Sequence, residues 1–359
     1  MLLATFALAK RYGTDLYTRD LALALLRQGL RPVVFTTNPG PLADEIRRAT
    51  IPVVDDLEQL GVAPDVIHGH HNLETIAALL RFPGVPALFV CHDALAWHSI
   101  PPLLPRIGAY VAVDDNCRDR MLLEHAIPED RVRVLANAVE LQRFARRPPL
   151  PEKPKRALVF SNAAREYTFI PAIRDACARR GIEVDVAGAG SGKATDAPES
   201  LLPRYDLVFA KARCALEAMA VGTAVILCDA RGLGTLVTSD SVDALRRLNF
   251  GARTLQRDTT ADAIGAEIDR YDAADAAKVC TAIRSSAGVE LLASQFIAIY
   301  DELRAMPAAD DDPIALSRFL AKLPARIDPP AAASVPMRER ILTNRALAPA
   351  LRLLYKLMK

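Results

Sequence analysis

Apolar runs and amphipathic stretches alternate along most of the chain, and the alternation predicts strands and helices in turn. The run at 2–8 predicts a first strand; Gly13 then allows a tight turn and Thr14 a helix N-cap. Tyr17, Leu21, Ala24 and Leu25 follow at helical spacing up to a stop at Gly29. A strand is expected at 32–37, with turn chemistry at 38–41. The pattern continues with a helix at 42–49, extended segments at 51–54 and 66–67, a helix at 73–81 and a strand at 87–91. Strands at 110–114 and 132–135 flank a helix at 117–125. Such alternation predicts a parallel sheet covered by helices.

Four prolines between 148 and 154, interleaved with basic residues, predict an extended, solvated connector, and the pattern restarts beyond it. Strands are expected at 156–160, 184–187, 207–209 and 224–227, and helices at 173–178, 216–220, 261–271 and 274–300. The stretch 207–229 is the most informative: strand, basic loop, helix, the stop at Gly222 and a second strand follow one another directly. The fold class expected is α/β, two Rossmann-like domains facing across a cleft. Residues 1–147 form the first, 148–305 the second, and 306–359 a tail ending in a basic amphipathic helix at 347–359. That helix suits either an anionic membrane surface or packing on the protein.

Composition narrows the possibilities. Half of the 359 residues are apolar, enough for a sizeable core. Basic and acidic residues nearly cancel, 45 against 43, which argues against nucleic acid as a partner. The six cysteines are scattered without CxxC spacing, so they read as reduced thiols of a cytoplasmic protein. The N-terminal apolar run lacks a basic flank and leads straight into a helix start, unlike a signal peptide.

Candidate chemistry gathers at strand ends, the functional edge of a doubly wound sheet. Lys211, Arg213 and Glu217 follow one strand, where a helix N-terminus presents free N–H groups to anions. The loop 188–193, with Gly190 and Lys193, departs from both the P-loop and the GxGxxG pattern but allows close backbone approach to an anion. Gly234 and Thr235 lie in a small-residue loop expected at 230–235. His68, His70 and His71 end one strand and His92 and Asp93 another, a set that suits either zinc or neutral imidazoles bonded within the protein. Trp97, the lone tryptophan, suits ligand stacking or packing.

Taken in order, these motifs resemble the GT-B-fold glycosyltransferases of family 4 over roughly residues 1–305. Gly13-Thr14-Asp15 with the following helix and strand resembles the family's glycine turn, and PDVIHGHH its Pro-Asp-hydrophobic-His-x-His segment. Cys91-His92-Asp93 is similar to the family's Thr-x-His-Asp strand end, RVRVLANAVELQRF to its interdomain hinge, and DVAGAGSG to its Val-x-Gly-x-Gly segment. The closest likeness is LEAMAVGTAVI, with Ala224 where the family has Pro.

The resemblance implies transfer of a sugar from a nucleotide-diphosphate sugar to an acceptor hydroxyl, carbohydrate or lipid-linked, with retention. The first domain would take the acceptor and the second the donor. It implies that His92, with Asp93, sits by the reacting sugar. Gly13 and Thr14 would approach the diphosphate, Glu217 would bind the ribose, and Arg165, Lys211 and Arg213 would replace a metal ion, with Gly190, Gly234 and Thr235 completing the donor side. No cofactor or metal is expected. Two departures matter: Asn162 stands nearest the family's basic position after the first strand of the second domain, and Phe209 stands where its Glu-x7-Glu pair begins. A binding protein without turnover is therefore a rival, and a metallohydrolase built on the histidines a weaker one.

Overall fold

The computed structural model describes residues 1–323 other than Ala308 and Asp311. Seven parallel strands form the first sheet: β1 (Leu2–Ala7), β2 (Val33–Asn38), β3 (Val53–Val54), β4 (Ile67–Gly69), β5 (Ala87–Cys91), β6 (Ile107–Ala112) and β7 (Val132–Val134), in the order β3-β2-β1-β4-β5-β6-β7. The second contains β8 (Arg156–Phe160), β9 (Glu183–Ala187), β10 (Leu207–Ala210), β11 (Ala224–Asp229) and β12 (Gly232–Leu236), in the order β12-β11-β10-β8-β9. Only β12 runs antiparallel to its neighbour. The central strands are covered on both faces, which is why their sequences are continuous apolar runs rather than alternating ones: Leu2, Leu3 and Ala4, like all of β10, are buried.

The helices of the first half are α1 (Gly13–Arg27), α2 (Pro41–Arg48), α3 (Asn72–Arg81) and α4 (Asp115–Asp119). Those of the second are α5 (Ile170–Ala178), α6 (Pro198–Leu201), α7 (Ala212–Val221), α8 (Val242–Arg247), α9 (Ala261–Ile268), α10 (Ala273–Ser286), α11 (Val289–Ala305) and α12 (Pro313–Lys322). The chain order changes sides between β1 and β4 in one sheet and between β8 and β10 in the other. These are the switch points where an α/β sheet opens a crevice.

Several local expectations are corrected. The helix expected at 274–300 is two, because the chain breaks at Ala287 and Gly288, where Val139 lays an extended bridge across Gly288. The second piece, α11, crosses back: Leu292, Phe296, Ile299 and Tyr300 pack into the core of the first sheet. Residues 117–125 form a short α-helix followed by a π turn. The loop expected at 230–235 is instead mostly the edge strand β12, turned back antiparallel against β11 with Asp229 opposite Gly232. Thr14 is not the N-cap of α1: Tyr12 holds that place without a side-chain cap, and the Thr14 carbonyl accepts the Thr18 hydroxyl instead. The basic helix expected at 347–359 lies outside the described residues. Among those described, no helix is long and apolar enough to cross a membrane.

Candidate functional site

Residues 1–321 form one compact unit, and within it the two switch points face a shared cleft of about 740 Å³. The first sheet contributes Lys10, Arg11, Tyr12 and Gly13, from the turn between β1 and α1. The second contributes Asn162 after β8, Gly188 and Ala189 after β9, and Arg213, Cys214 and Glu217 from α7. Gly13 has open space where a Cβ would sit, so nothing in the protein itself requires its smallness.

The turn into α7 is very tight. Only Lys211 separates β10 from the helix, and Ala212 opens the helix at φ 48°, the left-handed region that a non-glycine residue enters only under local constraint. Its N–H is held by the Phe250 carbonyl at 2.8 Å. Phe209, eight residues before Glu217, is consequently a strand residue wholly enclosed in the core, not part of an acidic loop. The short turn brings Arg213 and Glu217 to the cleft floor at i,i+4 spacing.

There they begin a chain of alternating charges that crosses between the lobes. Arg213 Nε donates to Glu217 Oε1 at 2.7 Å, and its Nη2 reaches Asp20 of α1. Asp20 accepts from Arg19 Nε at 2.9 Å, Arg19 reaches Glu45 of α2 at 3.0 Å, and Glu45 holds Arg11 at 2.5 Å. Arg11 Nε then returns to the second lobe at Asp196, 3.0 Å away. Burial alone would raise the Asp20 carboxyl, but the flanking Arg213 and Arg19 charges hold it below the usual range. Burial pushes the Glu217 carboxyl up against the pull of Arg213. Asp15, on the first turn of α1, is buried and raised to about 6 by desolvation, although the Lys10 N–H bonds to it at 3.2 Å. Lys10, Arg11, Asp15, Asp20, Glu45, Arg143 and Asp196 are additions to the sequence reading. The signal for one of them was present: Asp15, with Thr18 and Arg19, falls on one face of a helix otherwise built for burial.

The histidines converge on one another. His70 Nδ1 and His92 Nε2 are hydrogen-bonded at 2.9 Å, His68 Nδ1 lies 2.7 Å from the Tyr300 hydroxyl, and His71 Nδ1 accepts the Phe6 N–H at 2.9 Å. Burial holds His68, His70 and His71 well below the usual imidazole range, with neighbouring imidazoles adding to the effect, and brings His92 to about 3. These rings are neutral at ordinary pH. Among the described residues no group of three His, Cys, Asp or Glu side chains is arranged to hold a metal. Asp93 closes a turn, its Oδ1 accepting the N–H groups of Leu95 and Ala96 at 2.6 and 2.8 Å.

The other expected donor-side residues lie off the cleft wall. Lys211 is bound to the buried Asp229 at 2.6 Å. Arg165 is exposed on the loop after β8, its Nη1 3.0 Å from the Tyr167 hydroxyl. Gly190 serves loop packing: a Cβ there would stand 2.6 Å from the Asn162 carbonyl oxygen. Gly234 lies within β12 against Leu227 and Thr254, and Thr235 bonds to Glu267 at 3.1 Å and Arg270 at 2.7 Å. Trp97 stands edge-on to His98, ring centres 5.8 Å apart.

Residues 12–143 match the model of Glycosyltransferase Family 4. A glycosyltransferase from Rickettsia africae ESF-5 superposes with a TM-score of 0.63 at 13% identity, covering 85% of this chain and 99% of that one. Anabaena Alr3699/HepE, solved with UDP and glucose, superposes at 0.57 and 14% identity over the same shares. No curated protein sequence matches the chain.

Proposed function

We propose, for a chain with the GT-B fold whose residues 12–143 are of the Glycosyltransferase Family 4 type, that the interlobe cleft transfers a glycosyl group from a nucleotide-diphosphate sugar to an acceptor hydroxyl. The observation that carries this reading is the cleft floor. Glu217, a buried carboxylate fixed by Arg213, stands beside a turn at Gly13 that leaves room for a ligand backbone. A carboxylate suits two vicinal ribose hydroxyls, and the guanidinium groups of Arg11 and Arg143 along the same cleft suit the charge that grows on a leaving diphosphate. In this reading those cations do the work of a divalent ion, and the family likeness supports transfer with retention. The first lobe would receive the acceptor, carbohydrate or lipid-linked, in a cytoplasmic protein.

The test is a thermal-shift series with UDP, GDP, ADP and UDP-glucose, because a ligand that binds only the folded chain stabilises it, by roughly 2.7 kcal/mol at a hundred times its dissociation constant. At least one diphosphate should raise the melting temperature, and Glu217→Gln should abolish most of that rise. No shift with any of the four, or an equal shift in Glu217→Gln, removes the cleft from this role. The enclosed Phe209 in place of an acidic residue favours one second reading, nucleotide-sugar binding without turnover. Release of free nucleotide diphosphate on an acceptor panel separates the two.

A further inference from the structure

The histidines that end β4 and β5 leave a set of hydrogen-bonding atoms without partners. His68 and His70 are fully enclosed and Tyr17 is 5% exposed, yet His68 Nε2, His70 Nε2 and Tyr17 Oη each lack a hydrogen-bond partner among the described residues. Their rings touch in series. Centroids lie 4.5 Å apart for His68 and His70, 5.7 Å for His70 and Tyr17, and 4.8 Å for Tyr17 and His92. A buried polar atom left unpaired costs roughly 1–3 kcal/mol, and buried waters typically satisfy about three such atoms.

We propose that a buried water among Tyr17, His68 and His70 completes a directed hydrogen-bond relay from Tyr300 to His92, which fixes His92 as the tautomer protonated on Nδ1.

The direction follows from counting protons. A neutral imidazole has one donor nitrogen and one acceptor. Tyr300 has a single O–H and, among the described residues, a single partner, His68 Nδ1. The reverse polarity would leave that hydroxyl proton stranded in the core, so Tyr300 donates and His68 carries its proton on Nε2, facing the water. Tyr17 Oη also brings a proton and no acceptor. The water oxygen therefore accepts from His68 and Tyr17, which fills both of its lone pairs, and it donates one of its own protons to His70 Nε2. A proton on His70 Nε2 instead would bring a third donor to a water whose two lone pairs are already taken. With Nε2 accepting, His70 donates from Nδ1 to His92 Nε2 across their 2.9 Å contact. His92 is thereby left with a proton on Nδ1, the one ring nitrogen without a bond to the described chain, on a partly exposed residue at the carboxyl edge of the sheet.

A His92 held in this way is a hydrogen-bond donor and not a proton acceptor. In the proposed reaction it would meet an oxygen of the donor sugar or its phosphate, as the family resemblance implies, and that part rests on the proposed function. Tyr300, His68 and His70 are positioning residues. Their influence spans the molecule, because Tyr300 comes from α11, the helix that returns to the first sheet after the second lobe is complete.

The test is ring-nitrogen NMR of the full chain labelled with 15N-histidine, where six imidazoles contribute and His92→Gln assigns the signals of interest. His92 should show a protonated Nδ1 and an unprotonated Nε2 in the native protein. Tyr300→Phe, which removes the first donor, should convert that pattern to a mixture of both tautomers while the packed ring remains. A His92 protonated on Nε2 in the native protein overturns the relay outright, without recourse to any variant. An unchanged His92 pattern in folded Tyr300→Phe overturns its origin at Tyr300. No substrate enters the measurement, so failure of the nucleotide series leaves it standing, and a wrong tautomer leaves the nucleotide series standing.

Discussion

Asp20→Asn should destabilise the protein far more than its single lost charge suggests. The carboxylate lies between two guanidinium groups, Arg213 from the second lobe and Arg19 from its own helix, with side-chain exposures of 6%, 13% and 7% in that order. Removing one member of a buried pair costs about 3–5 kcal/mol because the partner charge stays buried, whereas exposed pairs are worth about 0–1. Both arginines keep one other carboxylate, Glu217 and Glu45, so the lower figure applies, about 3 kcal/mol, or on the order of a hundredfold in the folding equilibrium. The assay is urea unfolding of Asp20→Asn beside Asp44→Asn, whose pair with Arg47 is exposed at both ends. The pH dependence carries its own signature. Asp20 is held below its ordinary value of 3.8, so its contribution is complete above that value and lost only as pH falls through the lower folded one. The deficit of the variant should therefore be flat from pH 5 to 8 and shrink only in stronger acid. A loss equal to that of Asp44→Asn, or one that fades by pH 6, would refute the argument that the interlobe charges are buried and paired as described.

The remaining expectations concern the same cleft. Asp15 has the opposite sign: its pKa rises from 3.8 to about 6, so ionising it costs stability as pH climbs through that window. Asp15→Asn should raise the melting temperature at pH 7.5, with the gain vanishing near pH 4; a gain independent of pH would sink the idea. Gly13→Ala, meeting open space, should leave the stability within about 1 kcal/mol of native while weakening the UDP-induced shift, whereas Gly190→Ala, 2.6 Å from a carbonyl oxygen, should lower stability first. Equal effects of the two would show that Gly13 serves packing. Asp196→Asn, which removes one of the two carboxylates on Arg11, should tighten nucleotide diphosphate binding, as read by calorimetry, and weaker binding would contradict an exchange of Asp196 for a phosphate.

The fold was legible because its signals are local. Continuous apolar runs marked buried parallel strands, and LEAMAVG carried helix, stop and strand together, so the place of Glu217 on its helix was legible from sequence alone. Two elements escaped for local reasons as well. Ala287 and Gly288 are small residues inside an otherwise helical pattern, and only the bridge of Gly288 to Val139 shows that the helix breaks. Gly232 and Gly234 read as a loop, but their missing side chains are what let β12 press against Leu227 and the backbone of Leu255 and Thr254. The charge network was not legible. Its links join residues as far apart as 20 and 213, a pairing without period or motif. The ion pair of Lys211 was not legible for the related reason that its partner, Asp229, stands at the neighbouring strand's end.

The charges around the cleft also constrain how a diphosphate would enter it. In the network, Arg11, Arg19 and Arg213 alternate with Asp20, Glu45, Asp196 and Glu217, three cations against four anions, so the network by itself offers an anion no net attraction. Under the proposed function one carboxylate has to yield. Asp20 and Glu217 are buried and each is locked to Arg213, and Glu45 is shared by two arginines. Asp196 differs: its side chain is 88% exposed, and among the described residues its one ion pair is with Arg11. Exposed pairs contribute little, so exchanging this carboxylate for a phosphate on the same guanidinium is the least costly way in. The exchange would leave the Glu217–Arg213–Asp20 core untouched. It also divides the cleft by role, a fixed part that holds the ribose end of the donor and an exchangeable part that meets its phosphates.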